Sequence, residues 1–272
     1  MKDTTVYVSW MKTRLREFGI PIPDITDQAY ADDYRYILRY ALENERTNTI
    51  LALAWVHYRM TLEADKVIIR AADVGTRRSY LQHAFSVCRM LIDLHATLSP
   101  LEEDRMLASS LCHVLPENFP GEETYRDMTA KCGLDAAIPD TVSLIYRDDD
   151  GTDASRTAYY ERIRQDKLAV MIKLADRGNL VEQLYSMSNH NAHAYIYETR
   201  TFFFPLCIYA KDHYPDIMAP VDIMMEKLSC LLEVGEILLG RFETRETELV
   251  DRILSLEEEN ATLRRMIRTL EM

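Results

Sequence analysis

Apolar residues recur at intervals of three and four along nearly the whole chain, and strictly alternating stretches are short and rare. That is the period of helices packed on one face, so the pattern predicts an all-α protein. Ser99-Pro100-Leu101-Glu102 supplies a Ser N-cap, a Pro at the first helical position and a Glu where a capping box needs one. A helix is expected from there to about Leu115. Further helices are expected from about Ser79 to Thr97, Asp140 to Arg147, Tyr159 to Leu174, Val181 to Lys211, and from Pro220 onward. Two stretches read as loops: Glu117 to Thr124, which contains Pro120-Gly121, and Arg147 to Thr157, which contains Asp148-Asp149-Asp150-Gly151. The chain contains no internal repeat.

The last segment follows a different period. With Leu249, Leu256, Leu263 and Leu270 at heptad position d, position a holds Ile253, Asn260 and Ile267. β-Branched a with Leu d favours two parallel strands, and a single buried Asn fixes their register. Arg252 and Glu259 fall at g, Glu257 and Arg264 at e, so both g-to-e′ pairs are opposite in sign. The segment is therefore expected to form a homodimeric coiled coil through residues 249–270. The alternative, one amphipathic helix packed on its own domain, has no need of a buried Asn or of matched flanking charges. The chain divides on this basis into an N-terminal helical extension (1–60), a helical domain (61–241) and the coiled-coil helix (242–272).

Composition narrows the function classes. A net charge of −12 disfavours a nucleic-acid surface, which needs concentrated Lys and Arg, but leaves room for a local basic pocket. The apolar run Ile50 to Val56 is far shorter than a bilayer span, and the first ten residues hold no long apolar signal segment. No membrane association and a cytoplasmic location are expected. Five widely spaced cysteines without a Cys-x-x-Cys pair suit buried thiols rather than disulfides or a zinc knuckle.

Three elements carry candidate chemistry. His83 stands near a helix start; His113 and Glu117 sit four apart, on one helical face; and Lys173-Leu174-Ala175-Asp176-Arg177 ends in an acid-base pair before Gly178, a residue suited to a helix C-cap. Taken singly, each His is more simply a hydrogen-bonded core residue than a ligand. Together they resemble a known pattern. The order Tyr80-x-x-His83, Leu111-x-His113-x-x-x-Glu117, Lys173-Leu174-Ala175-Asp176-Arg177, then Tyr197-Glu198-Thr199 with Pro205-Leu206, is similar to the HD-domain superfamily. Within it, the chain resembles the (p)ppGpp hydrolase domain of the RelA/SpoT family over about residues 65 to 215. Ile138-Pro139-Asp140-Thr141-Val142-Ser143-Leu144 also fits that family's helix before the late Asp.

The resemblance implies an HD-type helical bundle and a divalent metal, usually manganese, held by His83, His113 and Asp176; the loss of one anionic ligand favours zinc, a weak site or no metal. It implies that the metal activates a water against a nucleotide pyrophosphate, with Glu117 and Asn118 standing where the family has an acidic pair. Arg77, Arg78, Tyr80, Lys173 and Arg177 are the expected contacts to an anionic nucleotide. Tyr80 fits equally well as a stacking partner for a base or as core, and Arg77 and Arg78 as solvated helix-end charge. Two departures weaken the implied centre: Val114 replaces the Asp of the His-Asp pair, and Asn118 replaces a carboxylate. A non-catalytic nucleotide-sensing or scaffold protein, dimerised by its coiled coil, is the alternative. A basic-zipper DNA-binding dimer is excluded because Glu233, Glu236, Glu243, Glu246 and Glu248 precede the heptads.

Overall fold

The computed structural model describes residues 4–20, 30–62, 70–71, 77–78, 80–147, 150–181, 184 and 187–270; side chains at 4–8, 10–11, 62, 70–71, 77–78, 241–246, 248, 258 and 261–270 lie outside that description. The described chain is all-α apart from one two-residue pairing. Contacts divide the chain into two compact units, Met1–Leu228 and Ser229–Met272.

The first unit opens with α1 (Thr4–Glu17), α2 (Ala31–Glu43) and α3 (Thr47–Leu62). A short antiparallel pair follows, β1 (Arg70–Ala71) with β2 (Arg77–Arg78), in the register Arg70 to Arg78. Then come α4 (Tyr80–Asp93), α5 (Pro100–Cys112), α6 (Leu115–Asn118), α7 (Glu122–Ala130), α8 (Ala137–Ile145), α9 (Asp153–Ile163) and α10 (Lys167–Val181). After α11 (Asn189–Glu198) a π-helical turn (Thr199–Phe203) leads into α12 (Phe204–His213), and α13 runs from Met218 to Leu270.

Residues 47–62 belong firmly to this unit. α3 packs on α5 and α2 on α4. Asp104 of α5 caps the start of α3, its carboxylate accepting from the backbone N–H of Asn48 at 2.9 Å and of Thr49 at 2.8 Å. A carboxylate there satisfies orphan helix donors and meets the positive end of the helix dipole. α10 is the centre of the fold: every residue from Leu168 to Asn179 is buried, as expected of a helix surrounded by others. It packs against α4, α5, α8 and α12.

The expected capping box at Ser99 is present, with Ser99 accepting from Glu102 N–H and the Glu102 side chain accepting from Ser99 N–H. Other boundaries differ. The helix expected over Tyr159 to Leu174 is two helices, because Asp166 interrupts it: its side chain accepts from Leu168 N–H at 2.7 Å and from Thr141 Oγ1 at 2.8 Å, acting as a new N-cap for α10. The stretch Val181 to Lys211 is likewise divided. Pro205 has no N–H to give Thr201 and its ring crowds that carbonyl, which accounts for the wider turn at Thr199–Phe203. The loop expected over Glu117 to Thr124 shrinks to the residues between α6 and α7, and α9 begins inside the other expected loop, with Thr152 as its N-cap.

Gly178 does not end a helix. It lies within α10, where an added Cβ would stand 2.1 Å from Met224 Cε and 3.2 Å from Met90 Sδ. Glycine here permits close packing of α4 and α13 on α10.

In the second unit, Leu249, Ile253, Leu256 and Asn260 are exposed along α13. The side chains of Leu263, Ile267 and Leu270 lie outside the described residues. Four of the five thiols, at 88, 112, 132 and 207, are buried, and all five are free. Among the described residues no helix is long and apolar enough to cross a membrane.

Candidate metal centre

His83 lies in the first turn of α4, His113 is the residue that ends α5, and Asp176 lies on α10; these three helices pack on one another. Each side chain is held by its own element. His113 Nδ1 lies 2.5 Å from Ser110 O, and because a carbonyl only accepts, Nδ1 carries the proton. That bond also satisfies one of the orphan carbonyls at the end of α5. His83 Nδ1 lies 3.0 Å from Asn179 Oδ1, and with that amide oxygen as the acceptor Nδ1 carries the proton there too. Both Nε2 lone pairs then face inward.

They face one another and a carboxylate. His83 Nε2 is 3.0 Å from Asp176 Oδ1 and 3.3 Å from His113 Nε2. The three ligand atoms all lie within 4.8 Å of one another, the one group of its kind among the described residues. A tetrahedral zinc with bonds of about 2.0–2.1 Å sets its ligand atoms about 3.3 Å apart, so the 3.0 and 3.3 Å separations from His83 suit two edges of a coordination shell. The outward Nδ1–H bonds are the second-shell contacts that orient metal-binding imidazoles. A metal among these three electron-rich atoms, or a proton on His83 Nε2, would offset their mutual repulsion.

Electrostatics divides the cluster. Burial of the Asp176 carboxyl pushes its pKa up, but Lys173 and His83 more than reverse this and hold it well below the usual range. Lys173 Nζ contacts Asp176 Oδ2 at 2.8 Å, leaving Oδ1 for the imidazole side. Burial alone would lower the Lys173 pKa; the nearby Asp176 raises it instead. Burial, reinforced by His83, lowers His113 to about 4, so its imidazole is neutral near pH 7 and able to act as a ligand.

The cluster opens into a cavity of about 100 Å³ lined by His113, Glu117, Ile145, Arg147, Tyr159, Ile172, Lys173, Asp176 and Leu180. Of these only Glu117, Arg147 and Leu180 are not buried, so they form the rim. The expected pairing of His113 with Glu117 on one face therefore holds even though α5 ends at Cys112, because the chain stays in helical conformation through His113 and Val114.

Other expected residues stand apart. Val114 is fully buried core. Asn118 donates Nδ2 to Val114 O at 2.7 Å, and its buried Oδ1 has no hydrogen-bond partner among the described residues. Tyr80 is buried and does not line the cavity. The Arg77 and Arg78 side chains lie outside the described residues. Arg177 points away from the cavity: it is 3% exposed, 2.5 Å from Glu198 Oε1, 2.6 Å from the Tyr160 hydroxyl, and packed over the Tyr195 ring.

Three participants were not singled out in the sequence. Asn179 follows Asp176 by three residues and shares its helical face, so spacing alone could have marked it. Tyr159 and Arg147 enter the cavity wall through tertiary packing of α9 and the segment after α8, and no local pattern marks them. No family model, curated protein or solved structure matches this chain.

Proposed function

We propose that the chain is a metal-dependent phosphohydrolase acting on a nucleotide pyrophosphate, with His83, His113 and Asp176 binding manganese or zinc. The observation that carries this reading is the convergence of two imidazole Nε2 atoms and Asp176 Oδ1 beside a cavity that His113 and Asp176 line. Two nitrogens and one oxygen suit zinc; a single carboxylate makes a weaker site for a hard cation such as manganese. When bound, such a metal lowers the pKa of a water and makes it a nucleophile near neutral pH. Glu117, which lines the cavity, would take that water's proton. Lys173 and Arg147 offset charge on the phosphoryl oxygens. A cavity of about 100 Å³ holds a phosphoryl group but is far below the roughly 300–1,000 Å³ of sites that enclose a whole small molecule, so the nucleoside would lie outside it.

A second reading, nucleotide sensing without turnover, has its own support. Lys173 already neutralises Asp176, and Val114 offers no ligand. The experiment that separates them is phosphate and pyrophosphate release from nucleoside 3′-pyrophosphates by protein supplied with manganese or zinc. The hydrolase reading expects release that a Glu117→Gln variant slows by about 10²-fold or more; metal and nucleotide binding without release would favour sensing.

The exposed heptad positions Leu249, Ile253 and Leu256, with Asn260 at position a, support a parallel homodimer through residues 249–270. An Asn260→Val variant is expected to raise dimer stability and loosen oligomer specificity. Sedimentation equilibrium reads both, and a monomer in each protein would refute the dimer. Five free thiols, four of them buried, and a net charge of −12 support a cytoplasmic protein that does not bind nucleic acid.

A further inference from the structure

Glu198 receives more positive charge than one carboxylate needs. Arg177 Nη2 lies 2.5 Å from Oε1 and the Tyr160 hydroxyl donates to the same oxygen at 2.7 Å. Arg147 Nη1 adds a contact to each oxygen at 3.2 Å. The two arginines are not equivalent. Arg177 is deeply buried among aromatic rings, whereas the Arg147 side chain is 34% exposed, and its contacts to Glu198 are at the long end of hydrogen bonding. Arg147 also lines the cavity and lies over the ring of Tyr159, another lining residue, at 5.9 Å.

Size assigns it a task. The space beside His113, Asp176 and Lys173 admits one phosphoryl group, so a second group on the same ligand would sit at the rim. The rim carries Glu117, Leu180 and Arg147, and of these only Arg147 attracts an anion. We infer that Arg147 recognises a diphosphate: it leaves Glu198 to pair with the outer phosphoryl group, while Arg177 and Tyr160 keep Glu198 satisfied. The planar guanidinium suits phosphate because it donates two parallel hydrogen bonds. This selectivity deepens the phosphohydrolase reading, on which its catalytic consequence rests, but the binding itself does not require turnover.

Isothermal titration of the full chain with inorganic pyrophosphate and with orthophosphate, each with and without manganese, tests it. Arg147→Gln should lose pyrophosphate affinity by about tenfold or more while orthophosphate affinity changes much less, and Arg147→Lys should fall between it and the unmodified protein. If Arg147→Gln does not fold, reduced pyrophosphate selectivity in Arg147→Lys, which retains the charge beside Glu198, is the supporting result. Unchanged pyrophosphate affinity, an equal loss for both anions, or no pyrophosphate binding by the unmodified protein would overturn the inference. Selective loss in protein that binds no metal would uphold it while refuting the hydrolase reading.

Discussion

An Asp176→Asn variant should lose about 3–5 kcal/mol of folding stability, the cost of leaving a buried charge without its partner. The stranded charge is Lys173, 2.8 Å from Asp176 Oδ2 and 8% exposed. The amide would also present no anion to His83 Nε2, now 3.0 Å from Oδ1. At about 2–4 °C per kcal/mol for a chain of this size, the melting midpoint should drop by about 10 °C. Pairing the change with a neutral neighbour, as in Lys173→Met with Asp176→Leu, should cost less, because a buried ion pair replaced by apolar groups of similar volume is often close to neutral. Thermal melts of the two variants check both statements. A single variant melting within about 2 °C of the unmodified protein would show that Lys173 finds another anion or reaches water.

The second large effect is expected at Glu198. It is 6% exposed and joins α11 to the Arg177 side of α10 and to Arg147. Burial pushes its pKa up, but Arg177, Arg147 and Lys173 outweigh that and hold it down to about 2. Glu198→Gln keeps the shape but leaves Arg177 buried without a counter-charge, and should again cost about 3–5 kcal/mol. The pH dependence has a definite sign. A carboxyl titrating near 2 in the folded chain rather than at its ordinary 4.5 contributes stability fully present above about pH 4.5 and lost as the pH falls toward 2. Urea midpoints measured across that range should therefore fall steeply in the unmodified protein and more gently in Glu198→Gln. Parallel curves would show that Glu198 does not carry this linkage.

What was legible in the sequence was mostly local. Ser99-Pro100-Leu101-Glu102 specifies a helix start through side chain to backbone bonds within four residues, and the structure has that box. The three-and-four spacing of apolar residues gave the all-α class because each helix must bury a face. The grouping of His83, His113 and Asp176 is not legible from spacing, since they lie on separate helices; the order of short motifs suggests it, and in the structure their ligand atoms lie within 4.8 Å of one another. Errors arose where tertiary packing overrides local preference. Gly178 has the composition of a C-cap, but its lack of a Cβ serves the approach of Met90 and Met224. Arg177, adjacent in sequence to Asp176, points about 100° away on the helix and neutralises Glu198 instead of facing the cavity. Arg147 gains its position only when the segment after α8 meets α11.

On the proposed function, His83 Nε2, His113 Nε2 and Asp176 Oδ1 would surround a metal rather than a proton. Elemental analysis of purified protein after incubation with manganese or zinc and removal of the excess tests it most directly, with Asp176→Asn and His113→Ala prepared alongside. About one zinc or manganese per chain is expected in the unmodified protein, with most of it lost in each variant. No bound metal under either condition, or metal retained in both variants, would contradict it. In the first case a proton shared between His83 and Asp176 would be left to hold the cluster together.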